Sequence, residues 1–172
     1  MVERIMIMGR SGSGKSTFAY SLHKLTNLPL FHLDKYFFKD YWIERDYKEF
    51  IKIQQEFVGQ AQWIIDGNST KSFEMRFACA DLCLYFNFPR YLCYWRIFKR
   101  LFYKDFSIDD RAENCSEKVS WSLIQYMWSF ESRVDPILLR LQETYPKVQF
   151  IEVRTDADLV HLKNKLFSVQ FK

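Results

Sequence analysis

The sequence predicts an α/β protein whose centre is a parallel sheet of five strands. Two observations carry this. Five short apolar runs recur along the 172 residues, and segments with helical spacing separate them. Between the first run and the first helical segment stands GRSGSGKST, a glycine-rich stretch of the kind that joins a buried strand to a helix.

The elements follow in order. Ile5-Met6-Ile7-Met8 is a continuous apolar run, as a parallel strand covered on both faces requires. A helical pattern follows the glycines to about Leu25, and Asn27 and Pro29 end it. Leu30 to Leu33 reads as the second strand, and Glu44 to about Gln60 as a mostly polar helix with Phe50, Ile53 and Phe57 on one side. Trp63-Ile64-Ile65 is the third run and ends in Asp66-Gly67; Leu82 to Phe86 is the fourth, ending at Pro89. Arg90 to Tyr103 has helical spacing. Val148 to Val153 is the fifth strand, and Asp156 to Val169 a closing helix with Leu159, Leu162, Leu166 and Val169 on its buried face. Thr155 with Asp158 three residues on forms a helix N-cap box. The stretch KDFSIDDRAENCSEK is polar, lacks a strong period and interrupts two helical segments, so it is expected to form a short lid. The chain reads as one domain over 1–172, with a helical insert at about 35–60 and the lid at about 104–118.

A hydrophobic fraction of 48% against 27% charged residues excludes a disordered chain. The net charge of +4 suits anionic small molecules and is low for a dedicated nucleic-acid binder. No apolar run reaches membrane-spanning length, and the apolar stretch of MVERIMIMG is too short for a signal peptide. Cys79, Cys83, Cys93 and Cys115 include no C-x-x-C pair, so reduced thiols in a cytoplasmic protein are expected. Aromatic residues make up 19%, more than a core of this size needs; either some line a pocket or the core is bulky.

Gly9 to Ser16 satisfies G-x-x-x-x-G-K-[ST] in the required setting, after a strand and before a helix. Gly9, Gly12 and Gly14, with Ser11 and Ser13 between them, allow the tight curvature that turns successive N–H groups toward phosphate oxygens. The helix start at Lys15, Ser16 and Thr17 adds partial positive charge. Lys15 reaches the β- and γ-phosphates, and Ser16 offers its hydroxyl to Mg²⁺. Asp66, at the end of a buried strand, is the expected direct or water-mediated Mg²⁺ partner, a turn residue being the other reading. The motif therefore predicts a phosphate-binding loop with a Mg²⁺ position at Ser16.

Phosphoryl transfer needs charge stabilisation on the moving group, and arginines suit that role. Arg96, Lys99, Arg100 and Lys104 form a basic stripe, with an apolar stripe through Tyr94/Trp95, Phe98 and Leu101/Phe102 lying away from it. Arg111 falls in the expected lid and Arg133 on the next helix, shortly before Pro136. Arg96, Arg100, Arg111 and Arg133 are thus catalytic candidates; a solvated basic face and a short nucleic-acid stripe are the other readings of Arg96 and Arg100.

The order of GRSGSGKST, HLDKYFFKDYW, WIIDGN, FPRYLCYWRIFKR and a short polar lid resembles the adenylate-kinase-like P-loop kinases, and more narrowly the bacterial DNA topology modulation protein family. The resemblance covers nearly the whole chain. It implies a P-loop NTPase three-layer sandwich with strand order 2-3-1-4-5, a closing lid and the use of ATP and Mg²⁺, with Gly12 to Thr17 on the phosphates. It also implies that Arg96, Arg100 and Arg111 are lid-side clamps and that Arg154 lies near the adenine. The family name further implies an effect on DNA topology, through DNA or protein contacts. Nucleoside monophosphate kinases carry D-G-x-P-R after the third strand; here Asp66-Gly67-Asn68-Ser69-Thr70 stands there, and the nearest following arginine is Arg76. Gly67, Asn68 and Arg76 are the substrate-side candidates of this segment.

The acceptor decides what Asp34 does. A phosphate acceptor needs only cations, whereas a hydroxyl acceptor gains from a carboxylate that orients it or takes its proton. Asp34, at the end of the second strand, faces the crevice where parallel sheets bind ligands, as acceptor-side or Mg²⁺-side group or as a helix cap. His32 alternates with it and is expected to be a buried structural histidine. Phe37 and Trp42, with their aromatic neighbours, either wall the acceptor pocket or pack the insert. Two functions follow: an ATP-dependent phosphotransferase on a small-molecule acceptor, a hydroxyl compound or a nucleotide, and a nucleotide-binding regulator of DNA topology.

Overall fold

The computed structural model describes residues 2–39, 43–102 and 120–170. Trp42, Arg111 and the lid expected at about 104–118 lie outside the described residues. Five strands form one parallel sheet: β1 (Arg4–Gly9), β2 (Leu30–His32), β5 (Trp63–Asp66), β6 (Leu82–Phe86) and β7 (Gln149–Val153). Their order is β2-β5-β1-β6-β7, which is 2-3-1-4-5 when only these strands are counted.

The apolar runs build this sheet because alternate residues enter two different cores. Ile5, Ile7, Ile64, Leu82, Leu84 and Phe86 point into one layer. There they meet α1 (Lys15–Thr26), α5 (Arg90–Phe102) and α8 (Asp156–Gln170). Met6, Met8, Trp63, Ile65, Cys83 and Tyr85 point into the other. They meet α3 (Tyr47–Val58), α4 (Phe73–Cys79) and α7 (Phe130–Thr144). The result is a three-layer sandwich, with α6 (Trp121–Trp128) preceding α7. The box at the start of α8 forms as expected: Asp158 accepts from the N–H groups of Arg154 and Thr155, both at 2.9 Å. No helix among the described residues is long and apolar enough to cross a membrane.

The insert departs from the sequence-based expectation. β2 stops at His32, and the buried Leu33 starts a short helix, α2 (Leu33–Phe37), so Asp34 lies in a first helical turn and not on the strand. A two-residue antiparallel pair follows, β3 (Phe38–Lys39) with β4 (Ile43–Glu44). The polar helix begins only at Tyr47, because Asp46 caps it by accepting from the N–H groups of Lys48 and Glu49. Phe37 packs 5.0 Å from Phe50, and Phe31 stacks on Phe57 at 4.0 Å. Of the two readings of Phe37, pocket wall and packing of the insert, the structure shows the packing, against the core beneath α3.

The phase of α5 also differs. Its buried side is Cys93 and Ile97, while Tyr91, Trp95 and Phe98, two of them expected on the apolar stripe, stand exposed.

Candidate active site

The C-terminal edge of the sheet collects Gly9, His32 and Asp66, and the phosphate loop rises from it into α1. Gly14, at φ +87°, turns the chain into that helix. Gly12 has φ +78°, and a Cβ there would lie 2.4 Å from the Cys93 carbonyl oxygen on α5. Backbone meets backbone at this point, so only glycine fits. Gly12→Ala is expected to cost about 2–3 kcal/mol from strain and crowding. Chemical denaturation measures it, and wild-type stability would show that the loop relaxes freely.

Each face of the loop is anchored. The Asn68 side chain holds Gly9 twice: Oδ1 accepts from the Gly9 N–H at 3.0 Å and Nδ2 donates to its carbonyl at 2.6 Å. Arg96 donates to the Ser13 carbonyl at 3.1 Å and to Asp156 at 3.1 Å, with its guanidinium 4.7 Å from the Phe88 ring centroid. Arg10 is completely buried. It donates to the carbonyls of Met127 and Phe88, both at 3.0 Å, and lies 3.1 Å from Glu131, which Arg90 also engages at 2.6 Å.

At the helix start, Lys15 Nζ stands 3.9 Å from Asp66 Oδ1, and both groups are buried. Asp66 Oδ2 lies 2.8 Å from His32 Nδ1, its register partner on β2. A carboxylate only accepts, so the Nδ1 of His32 carries the proton and donates. Burial works against the Asp66 charge, but Lys15, His32 and the Ser16 hydroxyl outweigh it and hold the carboxyl below the usual range. Its Oδ1 has no hydrogen bond of good geometry among the described residues. A hydroxyl and one oxygen of an ionised carboxylate fit Mg²⁺, which takes few protein ligands and shares the rest with phosphates and water.

The other candidates divide. Asp34 is exposed at the start of α2. Burial pushes the Tyr126 hydroxyl pKa up; Arg133 and Lys15 lower it and the Asp34 charge raises it. Ser11 and Ser16 are half-buried, Thr17 is exposed, and Arg100 lies one turn beyond Arg96 on α5. Arg154 follows β7 at the same sheet edge and pairs with Glu152 at 2.8 Å. Gly67 is pressed against Leu33, and its N–H donates to the Ile7 carbonyl at 3.0 Å.

Three of the candidates hold protein groups in the structure. Arg76 is wholly buried and donates to the carbonyls of Gly67 and Ser69 at 3.0 and 2.8 Å. Burial pushes its pKa down to about 10, so the guanidinium serves the loop that carries Asn68. Asn68 spends its amide on Gly9, and Arg96 spends its guanidinium on Ser13 and Asp156. Sequence reading missed the pairing of His32 with Asp66, the burial of Arg10 and the presence of Tyr126. Only the first had a signal, since HLD and IIDG end neighbouring strands at one edge.

No family model and no curated protein matches the sequence. Solved structures do. The chain is similar to a shikimate kinase from Bacteroides thetaiotaomicron, with TM-score 0.59 and 14% identity over 96% of this chain and 99% of that one. A shikimate kinase from Acinetobacter baumannii in complex with shikimate gives TM-score 0.59 and 15% identity over 98% and 95%. A deoxyadenosine kinase from M. mycoides, with products dCMP and a flexible dCDP bound, gives TM-score 0.51 and 17% identity over 96% and 98%. At such identities the likeness shows the fold alone, an α/β P-loop sandwich around a five-stranded parallel sheet.

Proposed function

We propose that this chain is an ATP-dependent phosphotransferase that acts on a small molecule through a hydroxyl group. The observation that carries the reading is one exposed acid, Asp34, in the first helical turn after β2, at the sheet edge where β1 runs into the P-loop and β5 ends in Asp66. A phosphate acceptor would gain nothing from a carboxylate there, whereas a hydroxyl acceptor gains an orienting base. The solved structures named above point the same way, because shikimate and deoxyadenosine carry hydroxyls and no phosphate. A nucleotide-gated regulator of DNA topology, the rival function, has no use for an exposed acid at that sheet edge. The resemblance to the DNA topology modulation family rests on the HLD, IIDGN and FPRYLCYWR segments, and we read any effect on DNA as secondary to the transfer.

Lys15 neutralises the β- and γ-phosphate oxygens of ATP. Mg²⁺, which Ser16 and Asp66 would hold, supplies further neutralisation of those oxygens. His32 fixes the orientation of Asp66. Asp34 accepts the proton of the acceptor hydroxyl as its oxygen bonds to the γ-phosphorus and the bond to ADP breaks. Arg133 meets the charge on the moving group.

An ATP-consumption panel of nucleosides, sugars and sugar acids, run beside their phosphorylated forms, tests the reading. Asp34→Asn should lower kcat on the active hydroxyl acceptor about 100-fold, with KM for ATP nearly unchanged. Undiminished turnover, or activity confined to phosphate acceptors, would remove Asp34 from the chemistry.

A further inference from the structure

Tyr126 lies near the end of α6, and its ring stands edge-on to the buried Phe130 at 5.9 Å. It packs against both cores of the sandwich. The Arg133 guanidinium rests 4.6 Å from its ring centroid, and Arg133 also donates to the Tyr126 carbonyl at 3.0 Å. The Arg133 Nε adds contacts to the Ser129 carbonyl and hydroxyl at 3.3 and 3.2 Å. The cation is therefore held by a ring face and by the corner between α6 and α7, a geometry that a planar guanidinium satisfies and an ammonium does not. Arg10 joins this corner to the phosphate loop through the Met127 carbonyl. Burial pushes the pKa of the phenol hydroxyl up, Arg133 and Lys15 pull it down, and Asp34 pushes it up again.

We propose that Tyr126 is a positioning residue for the phosphoryl transfer: its ring and carbonyl hold Arg133 at the corner that Arg10 ties to the phosphate loop. The inference rests on the phosphotransferase reading above. It explains why an exposed helix carries a half-buried tyrosine wedged between two cores, and it makes the arginine's placement depend on the nucleotide loop through Arg10.

Two measurements test it. In side-chain NMR, the Arg133 resonances, assigned by Arg133→Lys, should lie upfield from ring current in the wild type. They should return to the position of solvent-exposed arginines in Tyr126→Leu and stay shifted in Tyr126→Phe, which keeps the ring. In kinetics, Tyr126→Leu and Arg133→Ala should each lower kcat for ATP turnover about tenfold or more, with KM for ATP within about twofold. Tyr126→Phe should restore most of the rate. The double variant should lose no more than the worse single one, because residues acting as a unit are not additive. Losses that multiply, or an Arg133 resonance unmoved in Tyr126→Leu, would overturn Tyr126's role alone. Undiminished ATP turnover in Lys15→Ala would instead overturn the phosphotransferase reading.

Discussion

Lys15→Ala is expected to lower ATP turnover about 1,000-fold while the protein stays folded. The ammonium is buried and stands at the start of α1, where the dielectric is low and its field is strong. No water can replace it without reorganisation, and the expected ligand brings several negative charges. The same substitution changes how stability depends on pH. Asp66 has a folded pKa below its unfolded value, so its contribution is complete above the ordinary carboxylate range and is lost as pH falls through the folded value. Without Lys15, burial of the carboxyl loses its largest opponent and the folded pKa rises. The gap in melting temperature between wild type and variant should then be widest near neutral pH and narrow in acid. Turnover assays and melts over a pH series read both effects. Wild-type turnover would remove Lys15 from catalysis, and a gap independent of pH would remove it from the environment of Asp66.

The contrast between what could and could not be read from the chain follows sequence distance. The strands were legible because both faces of the sheet are covered, which forces continuous apolar runs such as Met6 to Met8. The phosphate loop was legible because its chemistry is local: glycines, a lysine and a hydroxyl within eight residues. Polar pairings across the sheet were not. Asn68 clamps Gly9 from 59 positions away, and His32 meets Asp66 across 34. Such contacts depend on which strands lie side by side, and residue types at those positions fit a turn or a substrate contact equally well. The phase of α5 was illegible for a different reason. Tyr91, Trp95 and Phe98 are as apolar as Cys93 and Ile97, so spacing alone cannot choose the inward face. The close approach of Cys93 to Gly12 chooses it. The aromatics around Asp34 could be read as pocket walls or as packing, because aromatic rings serve cores and pockets alike; Phe31, Tyr36 and Phe37 pack against α3.

Arg10→Met is expected to destabilise the protein by about 3–5 kcal/mol, the range for breaking a buried ionic contact. For a chain of this length that lowers the melting temperature by roughly 10 °C. The guanidinium has no exposed surface and serves three elements at once: the Phe88 carbonyl after β6, the Met127 carbonyl at the end of α6, and Glu131 on α7. Methionine fills the space of the stem but removes the guanidinium hydrogen bond from each carbonyl, leaving Phe88 the weak Cys93 thiol and Met127 the Ser129 N–H. Glu131 keeps Arg90 at 2.6 Å, so the carboxylate stays paired and the loss belongs to Arg10. Arg10→Lys should recover little, because one ammonium cannot span the carbonyls of Phe88 and Met127 as a planar fork does. Arg140→Ala is the control: its pair with Glu74 at 3.3 Å is solvent-exposed, and its melting temperature should not move measurably. Arg10 also lies inside the phosphate loop, so the weakened anchor should raise KM for ATP alongside the fall in stability. A rise in KM with an unchanged melting temperature would mean that Arg10 contacts phosphate and does not anchor the loop. A fall in stability with unchanged KM would mean that the loop holds its shape through Asn68 and Arg96 alone.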